Sequence, residues 1–235
     1  PTRRRGPISV FTDLAAAEAA SDPDGAGPDS NPTGLLAVRR HWRKPLGPRF
    51  LVTDSGANAL LAIAGGGRSK PAAVFDSPGT APAPFPPFQQ IPMESVPTSV
   101  TRGPDGAWYV SELTGFPFQP GASRIHRVMP GMPSSVWATG LTNVTDLTWH
   151  RGHLYAVQLA DAGLLGSEGL PTGSLVEVRN DAPPRTVADA LPAPYGVAVR
   201  GRSAYVTTCS VCAGGGSVVK VPLNDALTSF RIVAV

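Results

Sequence analysis

Pro97-Thr98-Ser99-Val100-Thr101, the turn Gly103-Pro104-Asp105-Gly106 and Trp108-Tyr109-Val110-Ser111 form the clearest copy of a unit that recurs along the chain. Each copy joins a short apolar segment, often opened by proline, to a second segment rich in apolar and aromatic residues. The other copies begin at Pro32, Val144 and Pro194. The later copies start roughly 50 residues apart, a period typical of propeller blades and other β arrays. The repeat therefore predicts architecture, although it says little about chemistry.

Each unit divides into four predicted strands, of which the third often alternates polar and apolar residues. The third strands are predicted at 58–63, 123–128, 174–178 and 217–221, and the fourth strands at 72–75, 135–138, 186–189 and 230–233. Four-stranded antiparallel sheets repeated around an axis form a β-propeller, so we expect an all-β fold with about four blades. These blades cover residues 30–78, 94–140, 142–190 and 192–235.

Residues 1–29 do not fit the repeat. The segment from Ile8 to Asp13 matches the fourth strand of a blade whose first three strands are absent. Residues 13–20 are rich in alanine and predict a short helix with Asp13 as its N-cap. Because the last blade already has a fourth strand, the N-terminal strand is surplus, which favours a fragment of a larger propeller of about six blades. A closed propeller with a swapped strand is the alternative.

The composition fits one β-rich domain with many turns. The chain has 235 residues, of which 42% are hydrophobic, with 26 prolines and 26 glycines. It contains no run of 18 apolar residues, so we expect no membrane span. The formal net charge is +3, and basic residues cluster at 3–5 and 39–44. Nucleic-acid binding usually needs a wider basic stripe, so these clusters are interpreted as solvated loops.

The two cysteines, Cys209 and Cys212, stand beside a run of three glycines. A zinc site would need further ligands at suitable spacing, and a redox pair normally opens a helix in a βαβ unit. Neither context is visible, which favours a disulfide at the tip of a hairpin and hence an oxidising compartment. A reduced, purely structural pair remains the alternative.

The chain resembles the ScyD/ScyE family of β-propeller proteins, which are similar to NHL-repeat propellers. The segments that carry the resemblance are 13–25, 29–36, 52–61 and 96–118. Family members are usually longer and exported, so the resemblance implies a propeller fold, a longer parent protein and a secreted or cell-surface location. The biochemical role of the family is largely undefined, and the resemblance implies no substrate.

Blade topology places the long insertions on one face, and functional loops often gather on one side of a rigid scaffold. These insertions are 76–95, 113–122, 159–173 and the tip at Cys209–Cys212. We expect an unknown small molecule or protein to bind there. The candidate ligand-binding residues are Glu112, Asn143, Asp146, Phe116 and Tyr195. Two alternatives stay open: the loop phenylalanines 85, 88, 116 and 118 pack on one another, and 76–95 is a stiff linker of polyproline character.

The second strands end in polar residues at equivalent positions, Asp54, Glu112, Gln158 and Thr208. They either converge on a pore mouth or cap local turns through their own hydrogen bonds.

The alternative function is a divalent-metal lactonase or esterase similar to gluconolactonase-type propellers, in which Ca²⁺ would bind oxygen ligands near the axis. Such propellers place Asn or Asp after the proline of the first strand, where this chain has Thr33, Thr98, Thr145 and Tyr195. The oxygen donors nearby are Asn31, Asn143 and Asp146. This departure counts against a metal hydrolase, so we expect no catalytic residues and no cofactor. His126, on an alternating third strand, is expected at the surface.

The sequence therefore favours an exported β-propeller that acts as a binding or scaffold module. A metal-dependent hydrolase is the second hypothesis, and a purely structural cell-surface protein is the third.

Overall fold

The computed structural model describes residues 8–38 and 47–223, of which nearly all the regular structure is β. Strand accounts for 47% and helix for 4%. The helix α1 (Leu14–Ser21) precedes the first sheet, and Asp13 caps it by accepting a hydrogen bond from the Ala16 N–H at 3.0 Å. This helix and its cap confirm the prediction. No helix in the described ranges is both long and apolar enough to cross a membrane.

The strands follow the chain in antiparallel sheets. Sheet 1 contains β1 (Pro32–Ala37), β2 (Phe50–Asp54), β3 (Ala59–Ile63) and β4 (Ser69–Val74), and a separate hairpin follows it, β5 (Gly79–Pro82) with β6 (Gln90–Met93). Sheet 2 contains β7 (Pro97–Arg102), β8 (Trp108–Glu112), β9 (Ser123–Val128) and β10 (Ser135–Leu141). Sheet 3 contains β11 (Val144–His150), β12 (His153–Gln158), β13 (Thr172–Val178) and β14 (Arg185–Pro192). Sheet 4 contains β15 (Val197–Arg200), β16 (Ser203–Thr208) and β17 (Ser217–Pro222).

Tight turns join the first and second strands of sheets 2 and 3, as predicted. His150 pairs with His153, so the turn between β11 and β12 has only two central residues, Arg151 and Gly152. Both have positive φ, 50° and 84°. This is the backbone of a type I′ turn, whose twist matches the twist of the strands it connects.

Apolar side chains from neighbouring sheets form a separate core at each junction. Leu51 and Leu60 of sheet 1 pack with Val100, Trp108 and Val110 of sheet 2. A second cluster joins sheets 2 and 3, and a third joins sheets 3 and 4. Because β8 lies between strands and between two such cores, all its residues are buried, whereas the outer strand β14 has no buried residue. Successive sheets that each pack on the next form a propeller-like array.

The first strands are bulged at one equivalent position. The pairing of β1 with β2 skips Thr33, that of β7 with β8 skips Thr98, and that of β11 with β12 skips Thr145. A bulge redirects the side chain of the extra residue. All three hydroxyls donate a hydrogen bond to a main-chain carbonyl at the start of the next unit: Thr33 to Pro97 at 3.1 Å, Thr98 to Val144 at 2.8 Å and Thr145 to Tyr195 at 2.6 Å. These threonines therefore link adjacent sheets.

The prediction of four-stranded antiparallel sheets is confirmed for sheets 1, 2 and 3. The fourth strand predicted for the last unit, 230–233, lies outside the described residues, as do the basic clusters at 3–5 and 39–44. The number of blades in the whole protein stays a prediction.

Two local predictions were wrong. Residues 8–13 form no strand, because the segment pairs with no sheet edge. Phe11 instead packs edge-on against Phe50, with ring centroids 5.6 Å apart. Residues 76–95 are not an extended polyproline linker. Gly79 pairs with Met93 and Pro82 with Gln90, which folds this stretch into the β5–β6 hairpin.

Candidate functional site

The long loops meet on one face, as the blade topology predicted. Asn143 joins two of them, since its Nδ2 donates to the Leu113 carbonyl at 3.0 Å and its Oδ1 accepts from the Leu164 N–H at 3.1 Å. The Cys209 N–H donates to the Pro192 carbonyl at 2.7 Å, which places the cysteine tip beside the end of sheet 3.

A groove of about 770 Å³ opens on this face. It lies between the β5–β6 hairpin, the loop after α1 and the 113–122 insertion. Its apolar lining includes Phe88, Ile91, Met93 and Phe116. Phe88 is 67% exposed and Phe116 is 41% exposed, so the groove presents aromatic surface to solvent.

The loop phenylalanines pack on one another only in part. Phe116 stacks on Phe85 with ring centroids 6.1 Å apart, and Phe118 meets the Phe116 ring edge-on at the same distance. Mutual packing is therefore present, as one alternative expected. Because Phe116 also lines the groove, these contacts hold the ring in place and leave part of it accessible.

The charged side chains that line the groove are all acidic. They are Asp24, Asp76 and Glu94, and no Lys, Arg or His occurs among the described lining residues. Asp76 and Glu94 are exposed, and Asp24 is half-buried. An acidic rim next to aromatic rings favours ligands that carry positive charge, because a cation is attracted both to carboxylates and to ring faces.

Glu112 lies behind the groove wall, fully buried and fully paired. Arg124 forms a bidentate ion pair with the carboxylate, with Nε 2.7 Å from Oε2 and a terminal nitrogen 2.7 Å from Oε1. Oε1 also accepts from Ser95 Oγ and lies against His126 Nε2, both at 2.6 Å. Burial alone would raise the pKa of Glu112, but the bonds from His126 and Arg124 outweigh it and hold the pKa below its ordinary value.

This network connects two elements of the groove. Ser95 itself lines the groove, and Arg124 also donates to the main-chain carbonyl of Asp76 at 2.6 Å. Glu112 thus reaches the groove through Ser95 and Arg124 rather than by touching a ligand. The expectation of a surface position for His126 was wrong, because its ring is only 4% exposed and packs on Phe75 with centroids 4.5 Å apart.

Asp146 joins three sheets. Oδ1 accepts from Ser99 Oγ at 2.7 Å, and Oδ2 accepts from the Val197 N–H at 2.8 Å. Burial raises the pKa of this carboxyl, against the lowering effect of these bonds. Asn143 is fully buried, and both ends of its amide are used by loop backbone.

The remaining predicted residues are placed apart from the groove. Tyr195 is half-exposed, and its main-chain carbonyl accepts a hydrogen bond from the Thr145 hydroxyl. The main-chain N–H of Asn31 donates to Asp54 Oδ1 at 2.6 Å. Of the candidate ligand-binding residues, Phe116 lines the groove directly. In the alternative metal set of Asn31, Asn143 and Asp146, the side chains of Asn143 and Asp146 are committed to hydrogen bonds that hold the sheets and loops together.

Polar residues at the ends of the second strands anchor the chain that enters the first strand. Ser30 Oγ donates to Asp54 at 2.7 Å, Ser95 Oγ donates to Glu112, and the Thr142 N–H donates to Gln158 at 2.8 Å. Asp54 also accepts from the Ala57 N–H at 3.4 Å, so it caps its own turn. The local-capping alternative therefore holds for Asp54, whereas Glu112 and Gln158 hold the chain that enters the first strands of sheets 2 and 3. The sequence signal was the recurrence of Ser30, Ser95 and Thr142 two positions before the first strands of sheets 1, 2 and 3.

The disulfide between Cys209 and Cys212 is present. The Cys212 N–H donates to the Cys209 carbonyl at 3.1 Å, and Ser210 Oγ donates to the Ala193 carbonyl at 3.0 Å. The tip is therefore a tight turn fastened to the preceding loop, as the sequence favoured.

No family model and no curated protein matches the chain. Among solved structures the chain is similar to virginiamycin B lyase from Staphylococcus aureus. A catalytically inactive variant of that protein with quinupristin is 14% identical with a TM-score of 0.49, and the match covers 86% of this chain and 58% of the other. The selenomethionine-substituted protein is 13% identical with a TM-score of 0.40, covering 77% of this chain and 64% of the other. The chain thus spans less than two thirds of the length of these chains, and similarity at this level assigns it neither a family nor an activity.

Proposed function

We propose that the protein is an exported, propeller-like binding module whose ligand occupies the groove on the long-loop face. The ligand class that fits best is a small molecule with an aromatic-sized apolar body and a positive charge. The observation that carries this proposal is the pair of exposed phenylalanines, Phe88 and Phe116, inside one groove of about 770 Å³. Small-molecule sites typically have volumes of about 300–1,000 Å³ and an apolar lining.

The charge of the rim supports a cationic ligand. Asp24, Asp76 and Glu94 would attract an ammonium or guanidinium group at the mouth, while the rings bury the apolar body. A cation over an aromatic face contributes about 0.5–1 kcal/mol at exposed sites and more when desolvated. The groove should disfavour ligands that carry a carboxylate, because that group would face the negative charges of the rim.

The buried network supports a preformed site. Glu112 fixes Ser95 and Arg124 fixes the Asp76 backbone, and these two groove residues flank the base of the β5–β6 hairpin. A wall that is ordered before binding loses less conformational entropy when the ligand enters. This is the role we assign to Glu112 in binding: it positions the walls without contacting the ligand.

Two observations support export. The Cys209–Cys212 disulfide is typical of oxidising compartments. The resemblance to ScyD/ScyE propellers, which are usually exported, supports the same location. We extend the proposal to a secreted or cell-surface protein on these grounds.

The test uses three ligands of one shape and different charge: 2-naphthylmethylamine, 2-naphthylmethanol and 2-naphthoate. Calorimetry and saturation-transfer NMR on the full chain should rank the amine first and the acid last. Phe116→Ala should weaken amine binding about 3–10-fold, because it removes an aromatic contact. Glu94→Gln should reduce the preference for the amine over the alcohol and leave alcohol binding unchanged.

Tyr205→Ala provides the matched control, because Tyr205 is a partly exposed aromatic residue on β16 that does not line the groove. It should leave all three affinities unchanged. The proposal would be abandoned if none of the naphthyl ligands bound at millimolar concentration, if the acid bound as well as the amine, or if Phe116→Ala and Tyr205→Ala behaved alike.

A further inference from the structure

Three carboxylates meet where α1 ends. Glu18 and Asp22 are four residues apart, and a helix places such residues on one face. Asp22 caps the C-terminus in the left-handed conformation, with φ of 36°, and the chain then turns so that Asp24 returns toward the helix. One carboxylate oxygen from each of Glu18, Asp22 and Asp24 lies within 4.8 Å of the others.

Glu18 is the member of this cluster that needs explanation. It is only 2% exposed, and its Oε1 is buried without a hydrogen-bond partner among the described residues. Buried carboxylates are normally paired, hydrogen-bonded or bound to a metal, because the desolvation of an isolated charge is costly. Burial raises the pKa of Glu18, and the charges of Asp54, Asp24, Asp22 and Asp29 raise it further.

No positively charged side chain compensates these acids within the described ranges. The ion pairs found there involve Glu112, Asp105 and Glu177, and none involves Glu18, Asp22 or Asp24. Asp54 has its own partners, Ser30 and the Asn31 N–H, and so adds negative charge without adding a donor. The cluster therefore combines high negative charge, burial and an unused oxygen.

We propose that Glu18, Asp22 and Asp24 bind a divalent cation, with Ca²⁺ as the best match. Ca²⁺ prefers six to eight oxygen ligands at about 2.3–2.6 Å, so oxygens on opposite sides of the ion are roughly 5 Å apart. A separation within 4.8 Å fits that shell. Main-chain carbonyls and water would complete it, as they do in other calcium loops. This site differs from the axial set of Asn31, Asn143 and Asp146 in location and in ligand type.

The loop holds two of the ligands in place. Asp22 Oδ1 accepts from the Gly27 N–H at 3.2 Å, and Asp24 Oδ1 accepts from the Ala26 N–H at 3.0 Å. An ionised carboxylate has about four acceptor sites, so each can accept these bonds and still coordinate an ion. Gly25 and Gly27 have φ of 73° and 101°, which allows the chain to turn this sharply.

The ion would join the N-terminal segment to two sheets. Asp24 Oδ2 accepts from Asn58 Nδ2 at 2.8 Å, and Asn58 Oδ1 in turn accepts from the Val96 N–H at 3.0 Å. Asp24 also lines the groove. Calcium bound here stabilises the α1 loop against sheets 1 and 2, whether or not the groove binds the ligand class proposed above.

Calcium titration of the chelator-treated full chain tests the site, by calorimetry with CaCl₂ and by thermal unfolding. We expect one ion per chain with a Kd between about 10⁻⁶ and 10⁻³ M. At a calcium concentration of roughly 100 times the Kd, the Tm should rise by about 5–10 °C. Affinity should fall as the pH is lowered, because the ligands must be deprotonated.

The variant Glu18→Gln distinguishes a metal-binding site from a loop that is acidic but binds no metal. It removes a buried charge, so in the presence of chelator its Tm should equal or exceed that of the wild type. In calcium it should show at least a tenfold weaker Kd and little Tm shift. Glu168→Gln is the matched control, because Glu168 is an exposed glutamate in the 159–173 loop, and it should bind calcium like the wild type.

Three results would overturn the proposal. The first is no heat and no Tm shift for the wild type at 10 mM CaCl₂. The second is a Tm shift that NaCl of equal ionic strength reproduces, which would indicate general screening of the acids. The third is wild-type calcium affinity in Glu18→Gln.

Discussion

Replacing Glu112 with glutamine should strongly destabilise the protein. Both carboxylate oxygens accept from Arg124, and Oε1 also meets Ser95 and His126. An amide at this position turns one acceptor into an NH₂ donor that faces a guanidinium donor. The side chains of Glu112, His126 and Arg124 are 0%, 5% and 16% exposed, so water cannot replace what is lost.

The size of the effect follows from this burial. Removing one partner of a buried ion pair typically costs about 3–5 kcal/mol, because the remaining charge is left uncompensated. Each kcal/mol shifts the Tm of a domain of this size by about 2–4 °C, so we expect a fall of roughly 6–20 °C. Urea unfolding followed by tryptophan fluorescence measures the free energy, and differential scanning calorimetry measures the Tm.

Glu177 provides a control with the same chemistry but with solvent-exposed partners, although its own side chain is only 10% exposed. It pairs with His153 and Arg185, whose side chains are 53% and 42% exposed. Because water can still reach both partners when the carboxylate is removed, Glu177→Gln should cost far less than Glu112→Gln, about 1 kcal/mol. If the two variants lost equal stability, or if Glu112→Gln lost less than 1 kcal/mol, the assignment of the Glu112 network as a structural anchor would be wrong.

The stabilisation that Glu112 provides should be lost as the pH falls. The pKa of Glu112 in the folded protein lies below its ordinary value of 4.5. The stability that its carboxylate contributes is therefore fully present above about pH 4.5 and is lost as the pH falls through the folded pKa. The difference in unfolding free energy between the wild type and Glu112→Gln should be constant near neutral pH and shrink only in acid.

Two further predictions concern the seams between sheets. Thr98→Val should lower the free energy of unfolding by about 1–3 kcal/mol, because it removes the buried bond to the Val144 carbonyl, while Thr101→Val on the same strand should change it little. Gly34→Ala should destabilise by about 1–3 kcal/mol, because its Cβ would lie 2.5 Å from Thr53 Oγ1 and 2.8 Å from the Thr98 carbonyl. Gly66→Ala, whose Cβ would meet nothing within 4 Å, should be neutral; urea unfolding checks all four, and equal effects within either pair would contradict the reasoning.

Much of the fold could be predicted from sequence because its signals are local and repeated. Apolar segments, turns such as Gly103–Gly106 and the helix cap at Asp13 each specify their own element, and the repetition reinforced them. The pattern of residues 8–13 wrongly predicts a strand, because a strand needs a partner edge, which a sequence pattern alone cannot supply. The proline content of residues 76–95 predicts an extended linker, but the two ends of this segment pair as a hairpin, which composition does not reveal.

The site was less predictable because burial and pairing are tertiary properties. Phe116 was identified from its place in a long loop, and it lines the groove. Alternation on β9 predicts an exposed His126, but the ring is buried between Phe75 and the Glu112 carboxylate, two contacts that the local pattern does not show. The acids at positions 18, 22 and 24 lie outside the repeated unit, and only their spacing marks them as candidate ligands. The i, i+4 pair of like charges on a helix was the signal that could have revealed them.

The threonine contacts between sheets place different side-chain requirements on the donor and the acceptor. The donor must carry a hydroxyl, whereas the acceptor is a peptide oxygen that every amino acid has. Proline, valine and tyrosine occupy the accepting positions at 97, 144 and 195 without altering the contact. Substitutions can accumulate on one side of each seam while the other side stays restricted, so units of quite different sequence can sit next to one another. A protein assembled in this way can diversify one unit at a time.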